Sequence, residues 1–268
     1  MVTSTLIKDY AYVRTHLTCA TYDAIYLSPH LDDVAFSCSG TICAQKAQGL
    51  RVLVITLFAG EPRPPYSSLA QAYHQLWGLA ADASPYRRRQ EEDEQAMRAL
   101  EVDFLWLNWL DAIYRLPNLA DFSQINDYAS DFSHDAAFPL LQEWLLDLQR
   151  AYPGATLVAP LGIGGHRDHR LVFQAVLKAP SSTRRLFYED FPYAAYHVDE
   201  AAELARIYQL APLHIDIARF LDRRILITGL YQSQHAMLFY PPSAFGETIR
   251  AYAGEGRQAG WRERYWRL

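Results

Sequence analysis

The apolar positions fall into short runs separated by stretches with helical spacing. Asp23–Ser28 (DAIYLS), Arg51–Phe58 (RVLVITLF), Phe104–Asn108, Thr156–Pro160 (TLVAP) and Arg185–Tyr188 read as strands, and His214–Ile217 as a short sixth. Between them Val34–Gly49, Leu69–Ala80, Tyr86–Leu100, Ala136–Arg150, Asp168–Lys178, Glu200–Leu210 and Asp216–Gln232 read as helices. In the third of these Ala96, Met97 and Leu100 stand three and four apart, opposite a charged face. Strand and helix in alternation predict βαβ units, hence an α/β fold with a mainly parallel sheet. Such sheets bind ligands beyond the carboxyl ends of their strands.

Stretches rich in proline or polar residues interrupt the pattern at 61–85 and 111–135. They read as loop insertions, the second as a long surface excursion. No repeat and no linker divides the chain. One domain over 1–268 is preferred to a split near residue 195.

Composition narrows the chemistry. Of 268 residues, half are hydrophobic and 21% charged, which suits a packed domain. A formal net charge of −5 argues against a polyanion-binding surface spread over the whole protein, though not against a local basic pocket, so nucleic acid is not an expected partner. Three cysteines exclude a four-cysteine metal site, so any cation must rest mostly on His, Asp or Glu. Cys38 and Cys43 sit in an apolar helix and read as inert buried thiols. The longest clean apolar run, Val52–Ala59, is far below the ~20 residues of a membrane span. Met1–Ala20 lacks the unbroken apolar stretch of a signal peptide. Both predict a cytoplasmic protein with no membrane partner.

Two strand ends carry clustered polar groups. Asp23–Ser28 runs into Pro29-His30-Leu31-Asp32-Asp33, and Thr156–Pro160 runs into a glycine-rich turn and His166-Arg167-Asp168-His169. In a parallel sheet the two can converge. Their His and Asp groups suffice for three metal ligands plus an acid and a base, the inventory of a hydrolytic zinc site. Neighbouring Asp32 and Asp33 can split the work if the backbone is extended there. Alternatives stay open: Asp33 alone could simply cap the next helix, and either histidine could be structural. Gly162-Ile163-Gly164-Gly165 fits neither dinucleotide nor P-loop spacing and suits close backbone approach to the site.

At these residues the chain resembles the LmbE-like, or PIG-L, N-acetylglucosaminyl deacetylase family. The resemblance rests on Ser28-Pro29-His30-Leu31-Asp32-Asp33 with His166-Arg167-Asp168-His169. It is supported by Ser39–Ile42, Arg89–Glu92, Leu107–Asp111, Tyr188–Tyr193 and Tyr231–Gln234. It implies a Rossmann-like α/β/α fold and a hydrolase, with one Zn²⁺ per chain, that removes an N-acyl group from an amino-sugar-containing small molecule. By position, His30, Asp33 and His169 become the metal ligands and Asp32 the general base. His166 stabilises the oxyanion or protonates the leaving amine, oriented by Asp168. Arg89 and Asp111 match substrate contacts, and Arg89 is the one arginine of Arg87–Arg89 expected to point inward. Two departures stand out. Val34 replaces a glutamate common in relatives. Gly164 stands where some relatives carry an oxyanion-binding tyrosine, for which Tyr193 is the substitute and a further substrate contact. A two-metal phosphoester hydrolase and a quiet metal- or glycan-binding module are the competing functions. The aromatic C-terminal segment Trp261–Trp266 suits docking on the domain or on a second copy, as in a homo-oligomer.

Overall fold

β-branched and large apolar residues dominate two adjacent strands, β2 (Ala24–Ser28) and β3 (Val52–Thr56), and every residue in both is buried. Burial on both faces is the signature of an interior parallel strand. The computed structural model describes residues 6–7, 21–79, 84–116, 121–126, 132, 135–180, 182–254 and 260–268. The remaining strands are β1 (Leu6–Ile7), β4 (Asp103–Trp106), β5 (Thr156–Pro160), β6 (Arg185–Tyr188), β7 (Ala211–Asp216) and β8 (Arg262–Arg267). They form one eight-stranded sheet in the order β1-β4-β3-β2-β5-β6-β8-β7. Pairing is parallel from β1 to β6, and β8 runs antiparallel to both β6 and β7.

The chain moves outward from β2 through β3 to β4, then returns to lay β5 on the other side of β2. That reversal opens a crevice beyond the ends of β2 and β5, where a doubly wound sheet takes its ligand. Ala24–Tyr26 of β2 pair with Thr156–Val158 of β5, so the two expected polar clusters leave the sheet side by side.

The helices are α1 (Asp33–Ala47), α2 (Ser68–Leu76), α3 (Arg87–Leu100), α4 (Ala112–Arg115), α5 (Ala137–Ala151), α6 (Arg167–Leu177), α7 (Tyr193–Tyr196), α8 (Glu200–Tyr208), α9 (Leu221–Thr228), α10 (Gln232–Leu238) and α11 (Phe245–Ala253). Helix α1 packs against α3 and α9, and α5 packs on α6. Among the described residues no helix is long and apolar enough to cross a membrane.

Several expectations need correction. The single helix expected over Asp216–Gln232 is a 3₁₀ turn at Ala218–Phe220 followed by α9 and α10. Asp216 ends β7 instead of opening a helix, and its carboxylate accepts the Ala218 N–H at 2.8 Å. The aromatic C-terminal segment is β8, built into the sheet. Glu263 on β8 accepts the N–H groups of Gly40 and Thr41 in α1 at 2.9 and 2.8 Å. It also faces the guanidinium of Arg224, which is fully buried, at 3.4 Å. A Cβ at Gly40 would meet that carboxylate at 2.8 Å, which explains the small residue there. The described residues of the 111–135 excursion do not form a free surface loop, because Asp111, Ala112, Ile113, Ile125, Phe132 and Asp135 are buried. Parts of both insertions (80–83, 117–120, 127–131, 133–134), and all of Met1–Ala20 except residues 6–7, lie outside the described residues.

Candidate active site

The turn from β2 into α1 sets the first cluster. Ser28 Oγ donates to the His30 carbonyl at 2.6 Å and accepts the Val34 N–H at 3.2 Å, closing a sharp elbow. Asp32 at its apex has φ 156° and ψ −34°, a backbone conformation that side-chain-bearing residues rarely adopt. Strain of this kind costs on the order of 1–3 kcal/mol and persists where the surroundings enforce it. The elbow, not an extended backbone, separates the two carboxylates. Asp33 opens α1, and the preceding cap position, Asp32, makes no side-chain cap bond.

Asp33 lies at the centre of the cluster. Its Oδ2 accepts the His30 N–H at 2.7 Å and lies 3.4 Å from His30 Nδ1 and 3.3 Å from His169 Nε2. Those spacings match neighbouring ligands of a tetrahedral cation with bonds of ~2.0–2.1 Å, whose edges are about 3.3 Å. Each imidazole spends its other nitrogen on a carboxylate. His30 Nε2 meets Asp168 Oδ2 at 3.1 Å, with Asp111 Oδ2 at 3.5 Å, and His169 Nδ1 meets Asp190 Oδ1 at 2.7 Å. Carboxylates in that position fix the tautomer and aim of metal-binding histidines. Among the described residues, the triads whose ligand atoms all lie within 4.8 Å of one another are His30/His166/His169 and His30/Asp111/Asp168; Asp33 is close to His30 and to His169 pairwise.

The electrostatics call for positive charge here. Burial disfavours a charged His30, but Asp111, Asp168 and Asp33 outweigh it and raise the pKa to about 10. His169 is likewise raised, by Asp33 and Asp190 against its burial. Asp33 is buried too, yet the two histidines hold its pKa well below the usual carboxylate range. A site that retains protons so firmly has the charge and donor set that a divalent cation satisfies, so the residues fit a metal.

His166 behaves differently. Burial, then His30 and His169, push its pKa well below the ordinary imidazole value, so it is neutral. It caps α6, with Nδ1 accepting the Asp168 N–H at 3.2 Å. In the neutral ring the proton then sits on Nε2, making that nitrogen a donor. The expected orientation of His166 by the Asp168 carboxylate is not what is found. That carboxylate serves His30, the Ala112 N–H (2.9 Å) and Arg115 (2.7 Å), and reaches His166 only through its backbone.

Asp32 Oδ2 meets the guanidinium of Arg89 at 3.3 Å. Arg89 is buried, as expected of the one inward arginine, with its charge over Trp77 at 4.9 Å and Tyr86 at 5.5 Å. Burial and Asp33 raise the Asp32 pKa to about 7 in spite of Arg89.

His30, Asp32, Asp33, Arg89, Asp111, His166 and Tyr193 all line one cavity of about 240 Å³, together with Tyr73 and Trp77 of the first insertion. Asp168 and His169 lie buried behind its wall. Gly164 has φ +82°, and a Cβ there would fall 2.8 Å from the Tyr193 ring, so Tyr193 fills the space a larger residue would need. Val34 is fully buried in the core cluster. Reading the sequence missed Asp190, although it stands just beyond the end of β6, where the strand-end rule points. It also missed Arg115, for which the sequence carries no signal.

Comparison with known proteins follows from this geometry. A family model described as PIG-L, GlcNAc-PI de-N-acetylase, matches residues 25–180. A 2'-N-acetylparomamine deacetylase of Streptomyces fradiae is 28% identical over 271 residues, covering 90% of this chain and 88% of that protein. An enzyme of the same name from Niallia circulans is 34% identical over 194 residues, covering 65% of this chain and 68% of its own. The zinc-inhibited form of the teicoplanin deacetylase Orf2 superposes with a TM-score of 0.77 at 25% identity, covering 91% of this chain and 96% of that one.

Proposed function

The chain belongs to the PIG-L, GlcNAc-PI de-N-acetylase family, and on that premise we propose that it hydrolyses the N-acetyl group of an amino-sugar-containing small molecule with the help of one zinc ion. The observation that carries the reading is Asp33 Oδ2 standing between two imidazoles, each held from behind by a carboxylate. His30, Asp33 and His169 would hold the ion, and 1–268 is read as one catalytic domain around the sheet crevice. A cation there supplies Lewis acidity and a water that ionises near neutral pH.

The other residues divide the remaining work. Asp32, on the cavity side of the elbow, takes the proton from the attacking water and returns it to the departing amine. A carboxylate beside the attacking water is the ordinary general base of such a hydrolysis. Arg89 positions that carboxylate through the contact at 3.3 Å. Of the two roles open to His166, its neutral state and donor Nε2 support hydrogen bonding to the amide oxygen as negative charge develops. Tyr193 supplies a second donor from the position left by Gly164. Tyr73 offers a flat face for a sugar ring, and Asp111 offers a carboxylate to hydroxyl or amino groups.

The competing phosphoesterase would need a second metal some 3.5–4 Å away. Asp111 and Asp168, the carboxylates nearest to offering one, are instead bound to Tyr86 and to Arg115. The test is release of acetate from a panel of N-acetylated amino sugars that includes 2'-N-acetylparomamine. The purified protein should liberate acetate from at least one, lose that activity to a chelator and regain it with Zn²⁺. A protein inactive on the panel that instead cleaved a phosphoester would overturn the reading.

A further inference from the structure

Arg115 ends α4 in the second insertion, and its half-buried guanidinium reaches two buried carboxylates. One N–H group meets Asp168 Oδ1 at 2.7 Å, and Nε and Nη2 meet Asp135 at 3.3 and 3.0 Å. Nη1 donates to the Leu110 carbonyl at 2.7 Å, and the charge lies 4.8 Å above the Phe58 ring. Each nitrogen of the guanidinium thus donates to an acceptor around the base of the site.

We infer that Arg115 is a positioning residue for the metal ligand His30, acting through Asp168, and that it ties metal binding to the fold of the 111–135 insertion. The inference rests on the metal reading given above. An arginine stays charged at any working pH, so its partner Asp168 is held as an acceptor. Asp168 Oδ2, 3.1 Å from His30 Nε2, then demands a proton on that nitrogen. A neutral imidazole protonated at Nε2 has its lone pair on Nδ1, the nitrogen that faces Asp33. The chain Arg115–Asp168–His30 therefore selects the tautomer able to bind a cation. Asp135 anchors the other side of the guanidinium. Its Oδ1 also accepts the Ala137 N–H at the start of α5, at 3.0 Å. The insertion is further stitched to the His166–His169 segment by a bridge between Asn126 and His166 and by Arg167 lying 5.2 Å over Phe132.

The test measures Co²⁺ and Zn²⁺ affinity by chelator competition, with the Co²⁺ visible spectrum as a record of the ligand set. Wild type should bind one ion, and Arg115→Gln should bind it about 10- to 100-fold more weakly, the range found when a group supporting a metal ligand is lost. Arg115→Lys, which keeps the charge beside Asp168, should recover part of that loss. The double variant Arg115→Gln/Asp168→Asn should bind no more weakly than Asp168→Asn alone, because residues acting through one another are not additive. A merely structural role would move the melting temperature but leave the losses additive. If Arg115→Gln fails to fold, Asp135→Asn, which removes one anchor only, is measured instead, and metal affinity equal to wild type overturns the inference. Affinity within about twofold of wild type in folded Arg115→Gln, or additive losses, also overturns it. A wild-type protein that binds no metal contradicts the metal reading itself, a result distinct from either.

Discussion

Asp190 Oδ1 stands 2.7 Å from Nδ1 of His169, and its other oxygen accepts the N–H groups of Gly162 and Ile163 at 2.8 and 3.0 Å. One carboxylate at the end of β6 thus fixes both an imidazole of the candidate metal centre and the glycine turn that leads to it. Asp190→Ala should weaken Zn²⁺ binding by about 10- to 100-fold. Equilibrium dialysis against a chromophoric chelator checks this, and Asp190→Asn, which keeps an acceptor, should fall between.

Tyr193 bears on the rate. If its hydroxyl serves the developing oxyanion, Tyr193→Phe should lower kcat by up to about 10²-fold while metal content stays at wild type. Gly164→Ala should act on the same ring from the other side. The new Cβ, built 2.8 Å from Tyr193 at φ +82°, must displace it, with loss of both stability and turnover. Steady-state kinetics paired with metal analysis distinguishes the two variants.

The Arg224–Glu263 pair lies outside the site. Both side chains are buried, and Glu263 also accepts the N–H groups of Gly40 and Thr41 midway along α1. Glu263→Ala leaves the arginine charge buried without its partner, so it should cost about 3–5 kcal/mol in urea unfolding. The fraction that remains folded should keep its activity per bound metal.

Asp93 gives a pH signature. It accepts from Tyr231 Oη and Trp106 Nε1, both at 2.7 Å, yet burial raises its pKa from 3.8 to about 6. The folded state therefore holds this proton more tightly than the unfolded chain. Its contribution is full below pH 3.8 and is lost as pH rises through about 6. Asp93→Asn removes the titration. The stability of wild type relative to that variant should decline across this window by on the order of 2–3 kcal/mol, as followed by urea melts at several pH values. A difference that is flat with pH would contradict the assignment.

Much of this was legible in the residues, for identifiable reasons. The runs at Ala24–Ser28 and Thr156–Pro160 are buried on both faces, so they read as continuous apolar segments, and each leads directly into its polar cluster. Arg89 stood out as one of three consecutive arginines and by its match to a substrate contact of the family, and the structure buries it against Asp32. Strand β8 was hidden because its inward positions alternate as Glu263 and Tyr265, with arginines between them. A buried glutamate whose partner lies on another helix leaves no hydrophobic period to read. The resemblance pairs the Asp168 carboxylate with His166, which only the Asp168 backbone N–H meets by hydrogen bond. The helix start turns its carboxylate toward His30 and Arg115 instead.

The most direct measurement of the central claim takes Asp32→Asn and His169→Ala through metal analysis and acetate-release assay in parallel. The account predicts that Asp32→Asn keeps about one Zn²⁺ per chain while its turnover falls by about 10²-fold or more, and that His169→Ala loses the metal and the activity together. Full acetate release by Asp32→Asn, or unchanged metal content in a folded His169→Ala, would contradict it.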